Sequence, residues 1–186
     1  MKPTRFYLLA ILIILFDQIT KITILKNLAF GESRQAFGKW LVLTHTHNTG
    51  SAFSLFPSSN GIFTVIASVA VIALIYAYQK HQNALLIVSA SLSLALGGAI
   101  GNLIDRIRFG FVVDFFDFHG WTNHTIWPIF NVADAAITCG IFMLAGHFLF
   151  AKEPLPTAPA ANSAEQVLPA EDDLTDSTGA NPPQEA

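Results

Sequence analysis

The sequence predicts an all-α membrane protein in which four transmembrane helices carry a small extracytoplasmic β-sheet at the membrane surface. Three observations lead there. Hydrophobic residues make up 52% of the 186 positions against 12% charged; the mean hydropathy is +0.49; and four apolar runs approach the roughly 20 residues that a hydrocarbon core demands. A water-soluble domain is the poorer reading, and no nucleic-acid partner is expected.

The first apolar run, residues 6–16, is too short to span alone, but continuing through residues 17–22 gives about 17 positions, near the lower limit for a bilayer. No small-x-small cleavage pattern follows it, so it reads as a retained helix and not as a signal peptide. Residues 62–78, 84–104 and 132–151 supply the other three spans. The polar link Gln79-Lys80-His81-Gln82-Asn83 joins the second and third as an antiparallel hairpin.

Four crossings put both termini on one side of the membrane and residues 23–61 and 105–130 on the other. By raw count the positive charges favour the second side, with Lys21, Lys26, Arg34, Lys39, Arg106 and Arg108 against Lys2, Arg5, Lys80 and Lys152. Lys21 and Arg106 lie beside acids in or at the ends of helices and read as functional. The unopposed charge at the N-terminus then predicts cytoplasmic termini. Residues 40–47 and 109–118 are rich in β-branched and aromatic side chains, as short strands are, and with Trp121 and Trp127 they suit an interfacial belt.

Residues 1–151 form the predicted membrane domain. From Lys152 onward one lysine and seven acids give −6, so the rest of the chain carries +3. This Pro/Ala-rich acidic stretch, residues 152–186, has almost no large apolar side chains to offset the entropy of ordering, and disorder on the cytoplasmic side is expected. Cys139 is the only cysteine, reads as a small packed thiol within a helix, and allows no intramolecular disulfide.

Only six acids precede the tail: Asp17, Glu32, Asp105, Asp114, Asp117 and Asp134. A carboxylate at mid-bilayer costs roughly 2.5–3.5 kcal/mol on insertion scales, which makes Asp17, Asp105 and Asp134 functional candidates. Asn131 can cap the fourth helix with Asp134 in its first turn, so Asp134 reads equally as the completion of a cap and as a functional acid. Asp114 stands among large apolar residues and needs a partner or water, whereas Asp117 is expected to be solvated. Two adjacent carboxylates share one proton, letting one act as base toward water while the other donates to a carbonyl. Such chemistry needs no metal and no cofactor. His45 and His47 share a strand face, but without an evident third ligand they read as interfacial polar residues rather than a zinc site.

Asp17-Gln18-Ile19-Thr20-Lys21, Asn48-Thr49-Gly50-Ser51-Ala52-Phe53, the stretch from Gly97 to Arg106, Val112-Val113-Asp114-Phe115 and Phe130-Asn131-Val132-Ala133-Asp134 resemble, in order and spacing, the motifs of the bacterial lipoprotein signal peptidase (signal peptidase II) family. The resemblance covers residues 5–150. It implies a membrane aspartyl endopeptidase with Asp114 and Asp134 as catalytic pair. Asn48, Gly50, Asn102, Asp105, Arg106 and Asn131 then support the site or hold substrate, and Asp17 and Lys21 serve stability or activity. The implied substrate is a diacylglyceryl-modified prolipoprotein cut just before its lipidated cysteine at the outer face of the bacterial inner membrane, by a monomer in contact with membrane lipid. A metal-dependent headgroup transferase using Asp105, Asp114 and Asp117, and a proton-coupled carrier using intramembrane acids, are the weaker alternatives.

Overall fold

The structure is a computed structural model that describes residues 1–50, 60–81, 84–120 and 124–150. The acidic stretch 152–186, Trp121 and residues 51–53 of the Asn48 motif lie outside the described residues. Four helices, α1 (Pro3–Asn27), α2 (Asn60–Lys80), α3 (Leu86–Phe109) and α4 (Val132–Phe150), are each long and apolar enough to cross a membrane. Three strands, β1 (Ser33–Phe37), β2 (Leu41–Asn48) and β3 (Val112–Phe118), form an antiparallel sheet in the order β1-β2-β3. The chain is a multi-pass membrane protein.

The helices α1, α2 and α3 run past the apolar stretches that announce them, because helical hydrogen bonding continues through polar ends that hydropathy does not register. Pro3 opens α1, where its fixed φ and missing N–H cost nothing. The third helix extends through the motif region as far as Phe109, and Gly110 ends it at φ 80°, a left-handed cap that frees the chain to turn into β3. Residue 109, read as the start of a strand, is therefore the last helical residue. β1 escaped the sequence reading altogether: Ser33-Arg34-Gln35-Ala36-Phe37 is exposed along its whole length and carries no alternating pattern.

α3 is the central helix, burying Ser89, Leu96, Gly98, Asn102 and Asp105 among others. In contrast α2 buries only Tyr78, and its Ile62, Val65, Val69 and Ile72 stay about three-fifths exposed, as suits a helix whose solvent is lipid. Two apolar clusters hold the bundle together. One, around Phe6, Ala10, Tyr78, Leu92 and Leu96, has Phe6 stacked on Tyr78 with ring centroids 3.5 Å apart. The other, Ile24, Leu28, Val113, Phe115 and Val132, fastens the sheet to the ends of α1 and α4.

Two adjacent glycines set how closely the helices approach. A Cβ on Gly97 would stand 2.8 Å from Ala10 O of α1, and one on Gly98 would overlap Ala133 O of α4. Small residues at such positions let membrane helices pack backbone to backbone. In β2 a bulge separates the pair Leu43↔Phe116 from the pair Thr46↔Asp114; the extra β2 residue re-aims the end of the strand, including Asn48, relative to β3.

Gly98→Ala is expected to push α4 away from α3 at the first turn of α4, with the destabilisation of about 1–3 kcal/mol typical of overpacking. Thermal unfolding of the purified protein in detergent measures it; a melting temperature equal to wild type would show that the contact can relax.

Candidate active site

Every acid before the tail except Glu32 is buried or half-buried, and four of the six meet in one network at the junction of α1, α3, β3 and α4. Its hub is Lys21, whose ammonium group is 1% exposed and lies 2.9 Å from each of Asp17 Oδ2, Asp105 Oδ2 and Asn102 Oδ1. Three N–H groups meet three acceptors. The second oxygen of Asp17 accepts the backbone N–H of Ala133 at 2.9 Å, and Asp105 Oδ2 also accepts that of Val113 at 3.1 Å. The start of α4 and the start of β3 are thus both tied to side chains inside the bundle.

Asp114 and Asp134 stand on those two tied segments. Asp134 occupies the first turn of α4, half-buried, and takes part in a reciprocal cap: its backbone N–H donates to Asn131 Oδ1 at 2.9 Å, and its Oδ2 accepts the Asn131 backbone N–H at 3.3 Å. Its other oxygen, Oδ1, accepts Asn102 Nδ2 at 2.7 Å. The two readings of Asp134 are therefore compatible, with one oxygen in the cap and one turned to the network. Asp114, 1% exposed on β3, accepts Asn131 Nδ2 at 2.6 Å on Oδ1 and Asn48 Nδ2 at 2.9 Å on Oδ2.

The three asparagines share a logic that fixes their orientation. Each carbonyl oxygen faces a group that can only donate: Lys21 Nζ for Asn102, the Asp134 backbone N–H for Asn131, and the Gly50 backbone N–H, at 2.8 Å, for Asn48. Each amide nitrogen must then point at a carboxylate. Gly50 contributes through its backbone at φ 88°, and a Cβ there would overlap the Phe63 ring. Burial first, and then the charge of Asp134, push the Asp114 carboxyl up to about 7, while the hydrogen bonds from Asn48 and Asn131 and the charge of Lys21 pull it the other way. Asp114 thus holds a proton near neutrality beside a second carboxylate.

Of the residues singled out from sequence, Asp17, Lys21, Asn48, Gly50, Asn102, Asp105, Asp114, Asn131 and Asp134 are brought together. Arg106 stands at the edge. Its Nη1 reaches Asn102 O at 3.4 Å and, among the described residues, it forms no ion pair, although its charge acts on Asp134, Asp114 and Asp105. Gln18 is the residue the sequence reading missed: its Nε2 donates to Asp105 Oδ1 at 2.9 Å and to Asp17 Oδ2 and Gly101 O at 3.2 Å each. The available signal was a second polar side chain next to a membrane acid.

Two expectations are corrected. Asp117 is not solvated but 4% exposed: its Oδ2 meets Thr44 Oγ1 and His119 Nε2, each at 2.9 Å. Burial there opposes ionisation, yet the His119 and Thr44 hydrogen bonds prevail and hold the carboxyl below the ordinary carboxylate range. Cys139 is not packed inside the bundle but exposed. It lines a groove of about 710 Å³ between the end of β3, the strip from Ile126 to Phe130, and α4, and both Asp134 and Asn48 open into that groove. As for metals, among the described residues no three His, Cys, Asp or Glu side chains converge as a ligand set, and His45 with His47 supplies two nitrogens where zinc sites use three or four protein ligands.

Residues 9–150 match the family model described as signal peptidase (SPase) II. The chain is 40% identical over 144 residues to a lipoprotein signal peptidase of Moorella thermoacetica, covering 77% of this chain and 92% of that one. It is 41% identical over 140 residues to one of Burkholderia mallei, covering 73% and 82%. Two solved bacterial membrane enzyme structures are similar in fold. One has a TM-score of 0.72 at 30% identity over 90% of this chain and 96% of that one; the other has 0.73 at 32% over 81% and 96%.

Lys21→Met is expected to destabilise the protein by about 3–5 kcal/mol, the cost of leaving buried charges without their partner. Asp17 and Asp105 would then face each other with no ammonium between them. A thermal melt in detergent that matched wild type would contradict this.

Proposed function

The chain belongs to the signal peptidase II family, whose members are proteases, and from that premise we propose that it removes the signal peptide from bacterial prolipoproteins by aspartyl chemistry, with Asp114 and Asp134 as the catalytic pair. The observation that carries the assignment is the asparagine-held pair itself: two carboxylates on different elements, one of them protonated near neutrality, both served by amide donors and one opening to a groove.

In this reading one carboxylate takes a proton from water as the water oxygen attacks the scissile carbonyl carbon, and the protonated partner donates to the carbonyl oxygen. Collapse of the tetrahedral intermediate breaks the C–N bond, the departing nitrogen takes a proton, and the pair returns to its singly protonated state. Asn48, Asn102 and Asn131 stabilise the negative charge of the pair and keep its geometry fixed through the cycle, which is where preorganised donors act most strongly. The substrate proposed is a prolipoprotein whose cysteine carries a diacylglyceryl group, with cleavage just before that cysteine. A groove walled by Phe118, Ile126, Trp127, Ile129 and Ala135 beside Asp134 suits an apolar occupant arriving from lipid. We place the enzyme in the bacterial inner membrane with cytoplasmic termini and the sheet outside, residues 1–151 acting as the peptidase domain and 152–186 as a cytoplasmic tail with no part in catalysis.

Asp114→Asn and Asp134→Asn should each abolish cleavage of a diacylglyceryl-modified prolipoprotein by purified enzyme in detergent, and a chelator should leave the wild-type rate unchanged. Full activity in either variant would remove that residue from the pair. Asn48→Ala deletes a hydrogen bond that favours the Asp114 carboxylate, so Asp114 keeps its proton to higher pH. The alkaline limb of kcat/KM, reporting on a carboxyl near 7 in wild type, is expected to move upward in this variant. A limb that moves downward, or stays in place, would show that Asn48 does not act on Asp114.

A further inference from the structure

His45 lies within the β2 bulge and His47 just beyond it, with their Nε2 atoms 3.1 Å apart. Their proton count follows from a third atom. His45 Nδ1 is 3.0 Å from Leu28 O, and a carbonyl can only accept, so Nδ1 carries a proton. In the neutral ring Nε2 of His45 is then an acceptor, and His47 Nε2 must be the donor. One proton lies between the two rings, and a second on His45 Nε2 would set two N–H groups and two positive charges against each other.

The couple is held from every side. His45 is 5% exposed, its backbone N–H donating to Glu32 O and its carbonyl accepting from Gly31 N. The His47 ring stacks on Phe111 with centroids 3.6 Å apart and touches Phe30 at 4.4 Å. The charged groups on the packed segments are Glu32, Arg34, Lys26 and Asp114. Glu32 accepts from Ala29 N and pairs with Arg34; Lys26 ends α1; and on β3 Asp114, opposite Thr46, is bound by Asn131 and Asn48. Among the described residues no acid pairs with either imidazole. Burial, and then the neighbouring His45, hold the His47 imidazole below its ordinary value, and the 3.1 Å contact between the two Nε2 atoms leaves room for one proton between the rings.

Its position ties it to the reaction. His47 pairs with Val113, the residue before Asp114, and His47 is followed in the chain by Asn48, whose amide nitrogen is 2.9 Å from Asp114 Oδ2. We propose that the His45–His47 couple is a proton-responsive positioning element that holds Asn48 against Asp114 while a single N–H lies between the rings, and releases it when a second proton drives them apart. The proposal rests on Asp114 being catalytic and adds a control that the pair itself does not contain. Asp114 takes its proton near 7 on β3 and the couple takes its second on β2, so substitution of His47 removes one event and leaves the other.

The test uses the full chain in detergent micelles and compares wild type, His47→Gln and His47→Ala between pH 5 and 8.5, each profile normalised to its own value at pH 8. A glutamine amide donates to neutral His45 and can turn over to accept from its protonated form, so the contact survives in both states. Below its midpoint a one-proton element loses activity about tenfold per pH unit. In wild type that loss should add to the one that protonation of both carboxyls of the pair imposes on every protein; it should be absent in His47→Gln, while His47→Ala, lacking the donor, should lose activity at all pH values and share the acid limb of His47→Gln. Without substrate, the side-chain ¹⁵N–H signal of Asn48 should show a step near pH 7 from Asp114 in all three proteins and a second step in wild type alone. Superimposable acid limbs and a missing second step would overturn the proposal while leaving the catalytic pair untouched. A second step in a protein that cleaves nothing would keep the coupling and overturn the catalytic reading.

Discussion

The site depends on one ammonium group inside a bundle of membrane helices. Lys21 could not remain charged there without acceptors for all its protons, and Asp17 and Asp105 could not remain ionised without it. Two carboxyl groups against one ammonium leave oxygens that the ammonium does not reach, and the structure meets them with donors from elsewhere: the backbone N–H groups of Ala133 and Val113 and the side chain of Gln18. Those donors are not incidental. The first lies in the opening turn of α4 and the second in the opening of β3, the two segments that carry Asp134 and Asp114. Electrostatic satisfaction of a buried triad and placement of the candidate pair are therefore a single requirement, and disturbing either disturbs the other.

Between that triad and the pair lies a layer of asparagines. An amide can present a donor or an acceptor, so beside a carboxylate it is useful only if something prevents it from turning over. Here each carbonyl is held by a group that can only donate, and the orientation passes outward from Lys21 to Asn102 to Asp134. The same amide oxygen of Asn102 also receives Asn131 Nδ2 at 3.1 Å, which links the Asp134 side of the site to the Asp114 side. Neutral donors suit this position better than cations would. A lysine or arginine in contact with Asp114 would favour its ionised form and depress the proton affinity that burial and Asp134 raise, whereas amides supply direction with a weaker bias.

How much of this the sequence carries depends on the physical signal. The helices are legible because roughly 20 apolar residues have few other uses, and the acids within them are legible because their cost demands a reason. The motif stretches then name nearly every member of the network, Asn102 and Asn131 among them, although nothing in their own periodicity does. What stays hidden is contact. Asp117 looks solvated because its partners Thr44 and His119 come from a different strand and from beyond β3, and a strand pattern cannot announce that a bulge in β2 brings them together. β1 is hidden because an exposed edge strand buries nothing and so leaves no alternation to detect. Cys139 looks packed because a uniformly apolar helix gives no indication of which side faces its neighbours and which faces lipid.

The two members of the proposed pair are unequal, and the inequality follows from where each is anchored. Asp114 is enclosed by the sheet and by Asn131 and Asn48, which occupy both of its oxygens. Asp134 sits at a helix start, half-buried, with its side chain bordering an apolar groove about 710 Å³ in volume. On the proposed reading a substrate in this groove lies against Asp134, which lines it, and not against Asp114, which does not. On the proposed chemistry the enclosed carboxyl stores the proton at neutral pH because enclosure raises its affinity, and Asp134, which borders the groove, is the one open to water. Division of labour between two chemically identical groups then needs no difference in residue type, only a strand that buries one and a helix terminus that presents the other.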